Sequence, residues 1–170
     1  RNTAATQIND SNATQIEESD FTAEADIAIY NNLGHANGWE SGAANIVSAA
    51  LTSLDTYRKG VLNGGEKVRL RIRAKAHSDL NNALIGFLVR DRLGQDLFGE
   101  NTFMSMQGKP CQVLSGHEFE AEFVFQFPML PNGQYSMAIS VADGDLYNNV
   151  QHNWMHDALI IQVSSDKIRY

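Results

Sequence analysis

Two segments alternate apolar and charged side chains with opposite charge, and they constrain the fold more than any other feature. In residues 66–76, apolar side chains alternate with basic ones: Lys67, Arg69, Arg71, Arg73 and Lys75. In residues 117–127 the apolar set is Phe119, Ala121, Phe123, Phe125 and Phe127, and the alternating set includes Glu118, Glu120 and Glu122. A period of two is typical of β-strands with one buried face. Opposite charges across a strand pair contribute about 0.2–1 kcal/mol, which predicts that these strands are neighbours in one sheet.

The other strong strand patterns lie in residues 83–90, 134–142 and 154–163. We expect them to form a second sheet. Its predicted outer face is small and apolar for a solvated surface: Leu84, Gly86, Leu88, Arg90, Ser136, Ala138, Ser140, His156, Ala158, Ile160 and Gln162. An apolar surface of this kind usually has a binding partner, so a second subunit or an extended ligand is expected to cover it.

Short strands separated by turns predict an all-β, immunoglobulin-like antiparallel β-sandwich over residues 39–170. Residues 43–53 read as a weak first strand, and Asp91-Arg92-Leu93-Gly94 as a turn after residues 83–90. We interpret residues 1–38 as a linker and a short helix. The linker is residues 1–18, and the helix has an apolar face of Phe21, Ala25, Ala28 and Ile29.

The charge distribution argues against a nucleic-acid partner. The net charge is −7, and between Asn2 and Tyr57 the chain has eight acidic residues and no Lys or Arg. Nucleic-acid binding usually needs a basic excess. No apolar run approaches the roughly 20 residues of a membrane span. The sequence begins at Arg1 without Met, which is expected either after processing of a precursor or for a piece cut from a longer chain.

The sequence contains no recognisable catalytic or cofactor motif. Residues 60–67 resemble a phosphate-binding loop, but Glu66 separates the last Gly from Lys67, and a strand follows instead of a helix. His152 and His156 have the spacing of metal ligands on a helix, yet they lie in a predicted loop and strand. The alternating glutamates read as a solvated strand face rather than a hydrolase pair. We therefore expect no enzyme activity, no cofactor and no metal.

Residues 146–157 combine aromatic side chains with amides and histidines. Sugar recognition needs this mixture, because aromatic faces contact the C–H surface of a sugar while polar groups bind its hydroxyls. A buried Trp154 and an ordinary polar loop would explain the same composition, and composition does not separate the two interpretations.

Residues 86–102, reading GFLVRDRLGQDLFGENT, resemble the C-terminal domain of the nucleotide-binding subunit, often called Wzt, of O-antigen polysaccharide ABC transporters. Three segments carry the likeness: Phe98-Gly99-Glu100-Asn101-Thr102 after an Asp-x-x-Gly turn, Trp39 to Ile46, and Pro128 to Tyr135. The second segment departs from the family pattern at Glu40.

This resemblance implies a cytoplasmic domain at the inner face of the inner membrane that recognises a finished polysaccharide before export. It implies a homodimer with an exchanged C-terminal strand, and contact with the membrane subunit through a missing upstream ATPase domain. The family offers no transferable catalytic residues, so the predicted glycan-binding residues come from the strand pattern: Arg90, Tyr147, His152, Trp154 and His156. A dimerisation or docking domain without its own ligand, and a small hydrolase, remain alternatives.

Overall fold

The computed structural model describes residues 4–11, 29–31, 38–54, 62, 64–102, 110–144 and 149–164. Within these residues all regular structure is strand. The strands are β1 (Ala4–Ser11), β2 (Ile29–Asn31), β3 (Gly38–Glu40), β4 (Ala44–Ser53), β5 (Lys67–Ala76), β6 (Ala83–Arg90), β7 (Asp96–Asn101), β8 (Glu118–Gln126), β9 (Gly133–Gly144) and β10 (Asn149–Val163).

The strands form two antiparallel sheets. The first, which we call the charged sheet, has the order β1-β8-β5-β4. The second sheet has the order β2-β10-β9-β6-β7, and β3 also pairs with β10. The predicted all-β, immunoglobulin-like antiparallel sandwich is confirmed, and so is the division of the main strands between its two layers.

The charged sheet has the predicted strand pair at its centre. β5 pairs with β8 over nine residues, from Lys67 opposite Gln126 to Lys75 opposite Glu118. The Nε atom of Arg71 lies 2.7 Å from Oε1 of Glu120, and that of Arg69 lies 2.8 Å from Oε1 of Glu122. The opposite charges therefore pair across the strands, and the glutamates have arginine partners.

The core lies between the sheets and consists of the predicted inward side chains. Phe119, Phe123, Met137 and Ile139 are fully buried. Aromatic rings join the layers: the Phe87 ring lies 5.1 Å from the Phe123 ring and is stacked 5.2 Å from the Phe125 ring. Alternation along β5, β6, β8 and β9 thus places one apolar side chain in the core at every second position.

Two short parts of the N-terminal region form strands where a linker and a helix were expected. Residues 4–11 form β1, which pairs with β8 at the edge of the charged sheet. Ile29, which we expected on the helix face, lies in β2 and pairs with Ile161. The rest of the predicted helix face, Phe21, Ala25 and Ala28, lies outside the described residues.

One polar side chain links the two sheets inside the sandwich. Asn153 of β10 is buried, and its Oδ1 accepts a 2.8 Å hydrogen bond from the backbone N–H of Ile46 in β4. A buried N–H that loses its acceptor costs about 1–3 kcal/mol.

We expect Asn153→Ala to lower the free energy of unfolding by about 1–3 kcal/mol in urea denaturation. Gln162→Ala, at an exposed position of the same strand, should have almost no effect. Equal stability of the two variants would contradict this role.

Candidate functional site

The candidate site lies on the outer face of the second sheet, where β6, β9 and β10 run side by side. Ser140 of β9 is opposite Gly86 of β6 and Trp154 of β10. Four residues along β9, Ser136 is opposite Arg90 and Ile160. Since residues opposite each other across a strand pair project to the same side, these side chains form a common surface.

A register shift in β10 changes this surface from the one predicted. The pairing with β9 is irregular between Met155 and Leu159, so simple alternation does not hold there. Ala158, which we expected on the outer face, is fully buried in the core, and that prediction is wrong. His156 is exposed, as a residue beside an irregular stretch of strand can be.

Arg90, Trp154 and His156, three of the five predicted site residues, contact one another; we call them the Trp154 cluster. The indole Nε1–H donates to Nδ1 of His156 over 3.0 Å. Nη1 of Arg90 donates to the same nitrogen over 3.2 Å, and the Arg90 Cζ lies 5.9 Å from the centre of the indole ring. This separation is within the range of a cation–π contact, so the cluster holds the indole in one orientation.

The two hydrogen bonds also define the role of Nδ1 of His156 in this arrangement. Indole and guanidinium groups only donate, so Nδ1 of His156 accepts both bonds. The other ring nitrogen, Nε2, then presents an N–H group as the remaining donor of His156.

Asp96 of β7 positions the arginine of the cluster. Nε of Arg90 donates to Oδ1 of Asp96 over 2.8 Å, across the hairpin that joins β6 and β7. The turn of this hairpin is fixed by Asp91, whose Oδ1 accepts from the backbone N–H groups of Leu93 and Gln95. Sequence analysis missed Asp96, although the predicted turn at residues 91–94 was the signal that Arg90 would face a residue just beyond it.

His152, another predicted site residue, has a different partner. Nδ1 of His152 lies 2.8 Å from Oγ of Ser41, in the segment after β3. Tyr147 lies outside the described residues. Of the residues predicted over 146–157, Trp154 and His156 contact each other, whereas His152 contacts Ser41.

Two depressions border the cluster on the outer face. The first, which we call the Trp154 depression, has a volume of about 440 Å³, and Trp154 lines it together with small and apolar residues: Gly86, Leu88, Gly99, Ala138 and Ser140. The second, the Arg90 depression, has a volume of about 460 Å³ and a polar lining that includes Arg90, Arg92, Gln134, Ser136, His156 and Asp157.

Two glycines, Gly86 and Gly99, leave room for the Trp154 depression. A Cβ atom at Gly86 would lie 3.1 Å from Oγ of Ser140 and 3.4 Å from Cβ of Asn101. Gly99, on the neighbouring strand, also has no side chain to fill the space. Sequence analysis placed Gly86 and Ser140 on the outer face without recognising that they would line a cavity.

The described residues offer no cluster of metal-binding groups. No three His, Cys, Asp or Glu side chains in this part of the chain approach closely enough to hold a metal ion. The described residues likewise include no helix that could cross a membrane. The arrangement on the outer face is suited instead to binding, with an oriented aromatic ring beside polar groups.

Comparison with known proteins gives a consistent result. A family model described as the Wzt C-terminal domain matches residues 35–169. The crystal structure of the C-terminal domain of wzt is similar to this chain, with a TM-score of 0.67 and 18% identity, covering 92% of this chain and 96% of that one.

A family 123 glycoside hydrolase from Clostridium perfringens has a TM-score of only 0.35 at 14% identity, covering 69% of this chain and 27% of that one. No curated protein matches the chain significantly. The family match spans more than three quarters of the sequence. The chain therefore belongs to the Wzt C-terminal domain family.

Proposed function

We propose that the chain is a non-catalytic module that recognises an O-antigen polysaccharide, at its modified terminus, for export by an ABC transporter. Membership of the Wzt C-terminal domain family associates it with the O-antigen transporter and with a non-catalytic part of that transporter's subunit. The observation that carries glycan recognition is the Trp154 depression, which an oriented indole lines together with small and apolar residues.

The physical basis is the complementarity of an indole ring and a sugar. The C–H face of a pyranose is apolar and packs on an aromatic ring, while its hydroxyls need donors and acceptors nearby. Ser140 and the Glu100 backbone carbonyl are close to the floor of the depression. Each such contact adds about 1 kcal/mol, so the expected affinity is modest.

The proposal also includes the expected domain arrangement, location and oligomeric state. Residues 1–38 would lead from an upstream ATPase domain to the glycan-binding domain of residues 39–170. The ATPase domain would contact the membrane subunit, and the module would act in the cytoplasm at the inner membrane. A homodimer with an exchanged C-terminal strand is part of the proposal; in the single chain, β10 pairs with its own β9.

Replacing Trp154 tests the proposed binding site. We expect Trp154→Ala to weaken binding of the source strain's O-antigen polysaccharide by about tenfold, because an aromatic contact of about 1–1.5 kcal/mol is lost. Trp154→Phe, which keeps an aromatic face, should lose less. The measurement is a titration followed by NMR, in which the spectrum of each variant also reports its folding.

A folded Trp154→Ala variant that binds with unchanged affinity would place the site elsewhere. Failure of the wild-type domain to bind any O-antigen polysaccharide would favour the second candidate function, a docking or dimerisation domain. The outward-facing Leu88 and Ile160, both partly exposed, are the observation in its favour. In that case Leu88→Lys should shift a dimer to monomer in analytical ultracentrifugation.

A further inference from the structure

We propose that the polysaccharide binds along β9 as a segment of at least two sugar residues, one in the Trp154 depression and one in the Arg90 depression. This inference rests on the proposed function and specifies how much of the glycan the domain contacts. It also assigns a ligand chemistry to each depression. The sugar in the Trp154 depression is held by stacking, and its neighbour is held by hydrogen bonds to groups without net charge.

The positions of the two depressions on one strand support a linear ligand. Ser140 lines the Trp154 depression and Ser136 lines the Arg90 depression. The two serines are four residues apart on the same face of β9, which corresponds to about 13 Å along the strand. The Trp154 cluster borders both spaces, because Trp154 lines the first while Arg90 and His156 line the second. A ligand that follows β9 therefore passes the cluster and reaches both.

The linings of the two depressions differ in chemistry. The Trp154 depression is lined by the indole ring and by glycine, alanine and leucine, together with the polar Glu100, Asn101 and Ser140. Its aromatic and apolar part favours the apolar face of a sugar ring. In the Arg90 depression, Nε and Nη1 of Arg90 are bound to Asp96 and His156, and Nη2 has no partner among the described residues. Nη2 and the Nε2–H of His156 are donors available to ligand oxygens.

The charges around the Arg90 depression favour a ligand group without net charge. Two cationic side chains, Arg90 and Arg92, and two anionic ones, Asp91 and Asp157, line it. Asp96 adds a further negative charge next to Arg90. A free carboxylate or phosphate would thus meet no excess of positive charge, whereas hydroxyl, ether or acetamido oxygens suit the oriented donors.

A serine-to-leucine substitution in each depression tests the contribution of each site to binding separately. Ser136→Leu fills the Arg90 depression and Ser140→Leu fills the Trp154 depression, and Gln162→Leu, exposed on β10 outside both, is the control. The probe is the O-antigen polysaccharide of the source strain, released from its lipid and fractionated by length from monosaccharide to polymer. Binding is measured by calorimetry and by NMR.

We expect both serine variants to bind the polymer about tenfold more weakly than the wild type and the control. Affinity should rise from monosaccharide to disaccharide and longer fractions. In the wild type, the backbone amide signals of Ser136 and Ser140 should both shift with the longer fractions, whereas a monosaccharide should shift mainly that of Ser140. This last measurement needs no variant, so it holds even if a leucine variant does not fold.

Three results would overturn the inference. A polymer affinity unaffected by Ser136→Leu, or a monosaccharide that binds as tightly as the polymer, would limit the site to the Trp154 depression and leave the proposed function intact. A Ser136 amide that never shifts would do the same. Failure of every fraction to bind the wild-type domain would instead overturn the proposed function together with this inference.

Discussion

Replacing Phe123 with alanine is expected to lower the free energy of unfolding by about 3–5 kcal/mol. Phe123 lies in β8, is fully buried, and packs edge-on against Phe87 of the opposite sheet with 5.1 Å between ring centres. Removal of the ring leaves a cavity between two sheets that cannot collapse onto it. Because a typical domain is stable by only about 5–15 kcal/mol, this loss is a large part of the total.

Urea denaturation monitored by tryptophan fluorescence measures this effect. Phe123→Leu, which keeps most of the buried volume, should lose considerably less, and Leu114→Ala should change stability little, because Leu114 is 58% exposed. If Phe123→Ala unfolds at the same urea concentration as the wild type, the ring does not join the two layers as described.

The second large effect is expected at Gly99, where even a methyl group should disrupt the β6–β7 hairpin. A Cβ atom there would lie 2.3 Å from the backbone oxygen of Phe87, a distance that real Cβ atoms do not show. The two strands would have to separate, and Phe98 would move from its edge-on contact with Phe125, 6.0 Å away between ring centres. We expect Gly99→Ala to cost about 3 kcal/mol or more, which is at the upper end for overpacking.

Gly94→Ala in the same hairpin is the matched control. Gly94 has a φ of +80°, and no atom lies within 4 Å of an added Cβ, so the cost is limited to the left-handed backbone, about 1–2 kcal/mol. Thermal denaturation of the two variants compares them directly. Because Gly99 also lines the Trp154 depression, a Gly99→Ala variant that remains folded should bind glycan weakly. A smaller loss of stability for Gly99→Ala than for Gly94→Ala would contradict the close approach.

The two layers of the fold were predictable because the buried residues alternate with exposed ones along each strand, and this alternation is visible in the sequence. In β5, β8 and β9, alternate side chains are buried without interruption, so a period of two was enough to identify which residues face inward. The pairing of β5 with β8 was predictable because the two exposed faces carry opposite charges. These features depend only on residue type and spacing, which the sequence states completely.

Other parts depend on contacts between distant residues and could not be read from spacing. Ala158 looks outward by simple alternation, but the irregular pairing of β10 with β9 places it in the core. β1 has the polar composition of a linker, yet the free edge of β8 provides hydrogen-bonding partners for its backbone. In both cases the neighbouring strand, and not the segment's own sequence, decides the structure.

The residue types of the candidate site were predictable from the sequence, but only some of the residues that form it were. Trp154 was identified by the mixture of aromatic side chains and amides in residues 146–157, and Arg90 by its place on the predicted outer face. The contact between Arg90 and Trp154 depends on the register of three strands. The contact of His152 with Ser41 likewise depends on how the strands pair. The division of the chain at residues 38 and 39 and the role of Tyr147 stay predictions.

The small residues that lie opposite one another on β6 and β9 can be exchanged without disturbing the core. Gly86 and the side chain of Ser140 face away from the core, whereas their chain neighbours Ile85 and Ile139 are fully buried within it. Exchanges at the outward positions can therefore reshape the surface that meets a ligand while the packing beneath stays intact. One scaffold can in this way acquire many ligand preferences through few substitutions, with sequence identity falling much faster than the backbone diverges.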